Sequence, residues 1–127
     1  NESSLLDNAD EKIYLKTGSE FLAGSTRLTA GTSQKITLNL FSTCLMIRLN
    51  KVYKGFMVDM KVTNSKLRNR AENMVTDITS CDPTKAREIL VDTNYNIKLS
   101  ILMLNNYSKE KALKLLHQSS GNLHNIL

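Results

Sequence analysis

The stretch GSEFLAGSTRLTAGTSQK, residues 18–35, decides how this chain is read. It sets small, hydroxylated and flexible residues, with one arginine, directly ahead of a long apolar segment. Such a run exposes backbone N–H groups and hydroxyls at a helix start, where an anion is favoured. A phosphorylated ligand suits that chemistry. Upstream, Lys12-Ile13-Tyr14-Leu15-Lys16 alternates polar and apolar side chains, which predicts a short strand. Residues 1–11 are polar and acidic, with a helical turn expected around 3–10. Downstream a helix is predicted over about 25–49, proline-free and with Gly31 as its one weak point. Ile36, Leu38, Leu40, Phe41, Cys44, Leu45, Met46, Ile47 and Leu49 cover nearly every face of it. A helix apolar all round is a central, buried one.

A strand feeding a buried helix reads as the edge of an α/β sheet domain. One isolated strand cannot pair its own backbone groups, so a sheet neighbour is required from another copy or from chain outside these residues. Beyond it the pattern turns wholly helical. Residues 50–55 break the periodicity, and Phe56-Met57-Val58 is a short apolar clamp. Asn64 caps a predicted helix running to about 79, with Leu67, Ala71, Met74, Val75 and Ile78 on one face. Asp82-Pro83 opens the next with an N-cap and a proline at the first helical position. Asn96 and Ser108 cap two more, and residues 121–127 form a last short one. The short connections predict a small helical bundle. The expected boundaries are 1–60 for the α/β portion, 61–80 for a connecting helix and 81–127 for the bundle.

Composition narrows the function classes. The chain has 127 residues and is 41% hydrophobic, enough for a core. Its 17 Lys+Arg exceed 12 Asp+Glu by five, but the basic residues are spread without long runs and aromatics are only 6%. Nucleic-acid binding calls for a denser basic stripe with stacking rings, so no nucleic-acid partner is expected. No apolar run reaches about 18 residues, so no membrane span is expected. Cys44 and Cys81 form no CxxC pair, which favours a reducing cytoplasm over a disulfide framework.

Each candidate feature also has a plain structural reading. Ser25-Thr26-Arg27 serves equally as a helix cap, since caps and anion sites use the same residues. Glu20 stands without a second acid, and paired carboxylates are the stronger acid/base signal, so it is read as lining a pocket and not as catalytic. His117 and His124 lack a third ligand, so no metal site is expected. Cys44 reads as a small core residue. Asp59, Lys61, Asn64 and Lys66 form a polar cluster for which a solvated turn with a cap is adequate.

The order of motifs goes further. Gly18-Ser19-Glu20, Ala23-Gly24-Ser25-Thr26-Arg27, Ala30-Gly31-Thr32 and Gln34-Lys35 resemble the signature of the N-acetylmuramic acid 6-phosphate etherase family and of glucokinase regulatory protein. The likeness continues in Met46-Ile47-Arg48-Leu49, Lys51-Val52-Tyr53, Met57-Val58-Asp59-Met60-Lys61, Thr63-Asn64, Lys66-Leu67 and Cys81-Asp82. It resumes in Asn96-Ile97-Lys98-Leu99, Ile101-Leu102-Met103-Leu104, Ser108-Lys109-Glu110 and Gly121-Asn122-Leu123. The chain departs from the usual pattern at Ser19, where proline is usual, at Thr29, where lysine is usual, and at Asn50 and Lys54, which replace glycines.

The resemblance implies a chain that is mainly α: the C-terminal edge, one strand plus the long helix, of a doubly wound sugar-isomerase-type α/β domain. A small bundle resembling a ubiquitin-associated-like module follows. It implies a lyase that splits the D-lactyl ether of N-acetylmuramic acid 6-phosphate into N-acetylglucosamine 6-phosphate and D-lactate, by elimination and water addition, with no cofactor. The glutamate base and acid and the serine-rich phosphate loop of the family lie upstream, so no catalytic residue is expected here. These 127 residues alone are expected to be inactive. By the same resemblance Glu20, Ala23, Gly24, Ser25, Thr26 and Arg27 line the phosphosugar pocket, and the protein is a homodimer. Two alternatives remain: a sugar-phosphate-responsive regulator that binds without catalysis, and a helical protein-interaction module.

Overall fold

The helix starts read from a polar residue ahead of an apolar run are capped as expected in the structure, a computed structural model that describes residues 4–127. Asn64 accepts from Leu67 N–H (2.9 Å), Asp82 from Thr84 N–H (2.8 Å), Asn96 from Leu99 N–H (3.1 Å) and Ser108 from Lys111 N–H (3.3 Å). These open α3 (Ser65–Thr79), α4 (Pro83–Asp92), α5 (Ile97–Leu104) and α6 (Lys109–Gln118). Earlier come a single turn, α1 (Ser4–Asp7), the long α2 (Thr29–Arg48), and the strands β1 (Val52–Tyr53) and β2 (Phe56–Met57). A 3₁₀ turn, Leu123–Asn125, closes the chain. The turn expected around 3–10 is present as α1, with Ser3 outside the described residues.

The chain groups into two units, residues 1–44 and 45–127. In the second, α5 packs against α3, α4 and α6. Its sequence IKLSILML is apolar on most faces, and six of its eight residues are buried. Around it lie Ala71, Met74, Val75 and Ile78 of α3, Ala86 and Leu90 of α4, and Ala112 of α6. The helix expected over 61–80 is therefore part of this bundle, packed on α4 and α5, and the expected boundaries at 60 and 80 fall inside one unit. Two buried hydroxyls satisfy each other: Thr93 Oγ1 and Ser100 Oγ stand 2.7 Å apart, and Ser100 also donates to Asn96 O. Thr76 Oγ1, by contrast, is buried with no hydrogen-bond partner. Thr76→Val keeps the shape and removes an unpaired polar atom, so it should raise stability by about 0.5–1 kcal/mol. An unchanged or lower denaturation midpoint would show that the hydroxyl is in fact hydrated.

Residues 50–58, expected as a break followed by a clamp, form a β-hairpin. Val52 pairs with Met57 and Tyr53 with Phe56, and the two-residue turn Lys54-Gly55 has φ of 47° and 81°. Two successive positive φ values match the right-handed twist of the strands. The preceding helix end uses the same conformation. Asn50 has φ 57°, its N–H bonds Ile47 O at 3.0 Å, and Lys51 N–H reaches Met46 O at 3.0 Å. This is the Schellman arrangement, for which glycine is usual. The positions where Asn50 and Lys54 depart from the family's glycines are thus left-handed ones.

The first unit departs from expectation twice. Residues 12–16 form no strand, and Ile13 is 64% exposed. A strand is defined by its ladder, and no described segment pairs with this one. The expected single strand at a sheet edge is therefore an extended segment here. α2 forms, but it begins at Thr29 because residues 25–28 are held in turns, and none of its residues is buried. Apolarity on every face gives a helix the capacity for burial, while the burial itself needs neighbours on several sides. The described part of the first unit holds no second long helix or sheet to supply them. Cys44, read as a core residue, is accordingly exposed.

Candidate functional site

The loop between the extended segment and α2 is organised by a carboxylate. Both oxygens of Glu20 accept backbone N–H groups at the start of α2, from Thr29 at 2.8 Å and Ala30 at 2.9 Å. The helix N-terminus proposed to attract an anion already holds one, supplied by the chain itself. A lysine, usual at position 29, would place a cation beside this carboxylate; Thr29 instead adds a side-chain hydrogen bond to it.

Short hydrogen bonds fold the loop onto the helix. Ser25 N–H bonds Leu22 O (2.9 Å), Leu28 N–H bonds Ser25 O (3.1 Å), and Gly31 N–H bonds Thr26 O (2.7 Å). A Cβ at Gly31 would stand 3.1 Å from Thr26 O, so this glycine permits the loop's close approach and is no weak point of the helix. Gly24 has φ 78° with open space around it, which makes it a turn residue with an accessible backbone.

A cleft of about 540 Å³ lies beside the loop, lined by Tyr14, Leu15, Thr17, Gly18, Ser19, Glu20, Thr26 and Ala30. Of the six residues expected at the pocket, Glu20 and Thr26 face this cleft together. Ala23, Gly24, Ser25 and Arg27 belong to the same loop but do not line it. Thr17, Ser19 and Tyr14 join the lining unforeseen. Their placement follows from the irregular course of residues 12–20, which turns at Gly18 with φ 72° and which a strand assignment does not specify.

Hydrogen bonds from Ala30 and Thr29 hold the Glu20 carboxyl below its ordinary pKa. A lowered carboxyl stabilises the folded loop above its unfolded pKa, and that contribution disappears as pH falls through the lowered folded value. Amide shifts of Thr29 and Ala30 should therefore titrate with a midpoint below that of an ordinary glutamate. A midpoint at the ordinary value would remove Glu20 from its capping role.

In the second unit, sequence reading missed Lys98. It follows an apolar residue and precedes another, yet it is only 8% exposed and pairs with Asp59 at 3.9 Å. Its signal was the charge itself, set within an otherwise apolar helix. His124 packs on the Tyr53 ring with centroids 4.7 Å apart. Among the described residues no cluster of three or more His, Cys, Asp or Glu is placed to hold a metal, and no helix is long and apolar enough to cross a membrane.

In the second unit, residues 54–114 match a family model described as the C-terminal lid domain of glucokinase regulatory protein. Curated relatives extend the match across both units. The chain is 42% identical to the N-acetylmuramic acid 6-phosphate etherase of Pseudothermotoga lettingae, over 97% of its own length and 41% of the relative's. Identity to the enzyme of the same name from Caldanaerobacter subterraneus subsp. tengcongensis is 46%, over 95% of this chain and 40% of that one. For Prochlorococcus marinus it is 48%, over 98% and 40%. Over nearly its whole length the chain is thus similar to curated N-acetylmuramic acid 6-phosphate etherases. It spans about two fifths of the length of the curated relatives it matches.

Proposed function

We propose that this chain is part of a cytoplasmic, homodimeric lyase that cleaves the D-lactyl ether of N-acetylmuramic acid 6-phosphate, giving N-acetylglucosamine 6-phosphate and D-lactate. The observation that carries this reading is identity of 42–48% to etherases over nearly the whole of the chain. In it, the extended segment and α2 are the edge of a doubly wound sugar-isomerase-type domain, and α4 to α6 form the ubiquitin-associated-like group. The glutamate base and acid lie outside these residues, so the 127 residues by themselves release no lactate.

The loop's geometry supports a division of labour within the pocket wall. Glu20 is engaged by two N–H groups and carries negative charge at the start of α2, so it repels a phosphate there and serves to hold the loop. Of the others only Thr26 lines the cleft in this chain. In the reading proposed here Gly24 offers backbone, Ser25 and Thr26 offer hydroxyls, and Arg27 offers a charge-assisted pair to the phosphate, together with parts of the pocket that lie outside these residues. The lid match over residues 54–114 favours one second reading, a regulator that binds the sugar phosphate without turnover.

A chimera separates the two. These 127 residues replace the matching region of the Caldanaerobacter enzyme, and D-lactate release from N-acetylmuramic acid 6-phosphate is measured. Activity within about tenfold of the unmodified enzyme is expected. Substrate binding without turnover would transfer the chain to the regulator reading, and loss of both would remove residues 20–27 from the pocket.

A further inference from the structure

Two lysines share one carboxylate at the edge of a cavity in the helical unit. Asp59 Oδ2 lies 3.7 Å from Lys51 Nζ and 3.9 Å from Lys98 Nζ, so a single acid is shared at distances too long for good hydrogen bonds. Lys98 is nine-tenths buried, and its ammonium sits where a Cβ on Gly121 would come within 2.9 Å. Burial lowers its pKa; Asp59 opposes that shift, and Lys51 adds to it. A buried cation with half a partner is an unusual arrangement, because desolvated charges ordinarily gain full compensation.

The cavity holds about 410 Å³, within the range of small-molecule sites. Asp59, Lys61 and Met60 form one side, Arg68 of α3 another, and Asn94, Tyr95, Asn96 and Ile97 at the start of α5 a third. Arg68 stands 5.6 Å from the Tyr95 ring centroid. Among the described residues neither Lys61 nor Arg68 has a carboxylate within ion-pair distance. The lining thus carries two unpaired cations, Lys61 and Arg68, while its one carboxylate, Asp59, is already shared by Lys51 and Lys98 outside it.

We propose that this cavity is a second anion site, which takes a small phosphate monoester held by Arg68 and Lys61 against the Tyr95 ring. A dianion pairs with the two cations of the lining, and the guanidinium fork matches phosphate geometry. The ring presents an apolar face to whatever the phosphate carries. The site is built wholly from residues 58–97 and does not depend on the loop at 20–30 or on the etherase reading.

The test is a titration of the 127-residue chain with inorganic phosphate, and separately with glucose 6-phosphate, followed by amide NMR at constant ionic strength. Saturable shifts confined to Lys61, Arg68 and residues 94–97 are expected. Arg68→Ala should weaken binding about tenfold and Lys61→Ala by less, as loss of one charge-assisted contact does. Lys114→Ala, which removes a charge on α6, should change nothing. Tighter binding of the sugar phosphate would assign the Tyr95 wall to the carried group, and equal binding would confine recognition to the phosphate, overturning that wall's part. Shifts no larger than those with sodium chloride, or equal loss in Arg68→Ala and Lys114→Ala, would overturn the site. The spectra report directly whether each exposed-residue variant stays folded.

Discussion

Leu102→Ala is expected to cost about 3–4 kcal/mol, while Leu40→Ala should change stability by no more than about 0.5 kcal/mol. Both residues sit in apolar helical runs. Leu102 is fully buried in α5, the element on which α3, α4 and α6 converge, and truncation there leaves a cavity that three neighbouring helices must collapse to fill. Leu40 is 62% exposed on α2. Total stability of a small domain is about 5–15 kcal/mol, so Leu102→Ala removes a large share of it. Urea denaturation of the two variants, followed by far-UV circular dichroism, measures both. Comparable midpoints would mean that α5 is not the centre of the core.

Lys54→Gly should stabilise the helical unit by about 1 kcal/mol, whereas Asn50→Gly should be close to neutral. Both positions are left-handed, with φ of 47° and 57°. A lysine in that region is strained by about 1–2 kcal/mol, and glycine returns part of this through its greater unfolded-state entropy. Asparagine tolerates the conformation better, so less strain is relieved. Asn50 also donates from Nδ2 to Ser120 O at 3.3 Å, a contact glycine would lose. The sign of the difference between the variants therefore tests the balance between strain and side-chain bonding. Thermal denaturation of each reads it out, and a destabilised Lys54→Gly would show that the turn is not under strain. Gly121 is among the left-handed positions expected to resist change, since its φ is 74° and a side chain would also press on Lys98.

Much of the helical unit was legible in the sequence because its signals are local. Asn64, Asp82, Asn96 and Ser108 each bond a backbone N–H two or three residues ahead, and no distant part of the chain is needed for that. The inward faces at Ala71, Met74, Val75 and Ile78, and at Ile97 and Ile101, follow from helical periodicity alone. The hairpin was missed because its turn uses Lys54 before Gly55, where asparagine or aspartate is the usual signal. Lys98 was missed because periodicity assigns a position to a face without saying how much of that face the neighbours cover.

The loop at 18–35 divides in the same way. Residue chemistry determined that it turns, that Gly24 frees the backbone, and that hydroxyls and Arg27 gather ahead of a helix. Only the tertiary structure decided that Glu20, nine and ten residues before its donors, occupies the helix start, and that a side chain at Gly31 would crowd Thr26 O. It likewise decided that an all-round apolar α2 carries no buried residue in this chain while the shorter α5 is enclosed. Hydrophobic pattern and capping are properties of neighbouring residues, and sequence states them. Burial, shared charge and the occupant of a helix end depend on which distant atoms arrive, and the packing of the chain determines that.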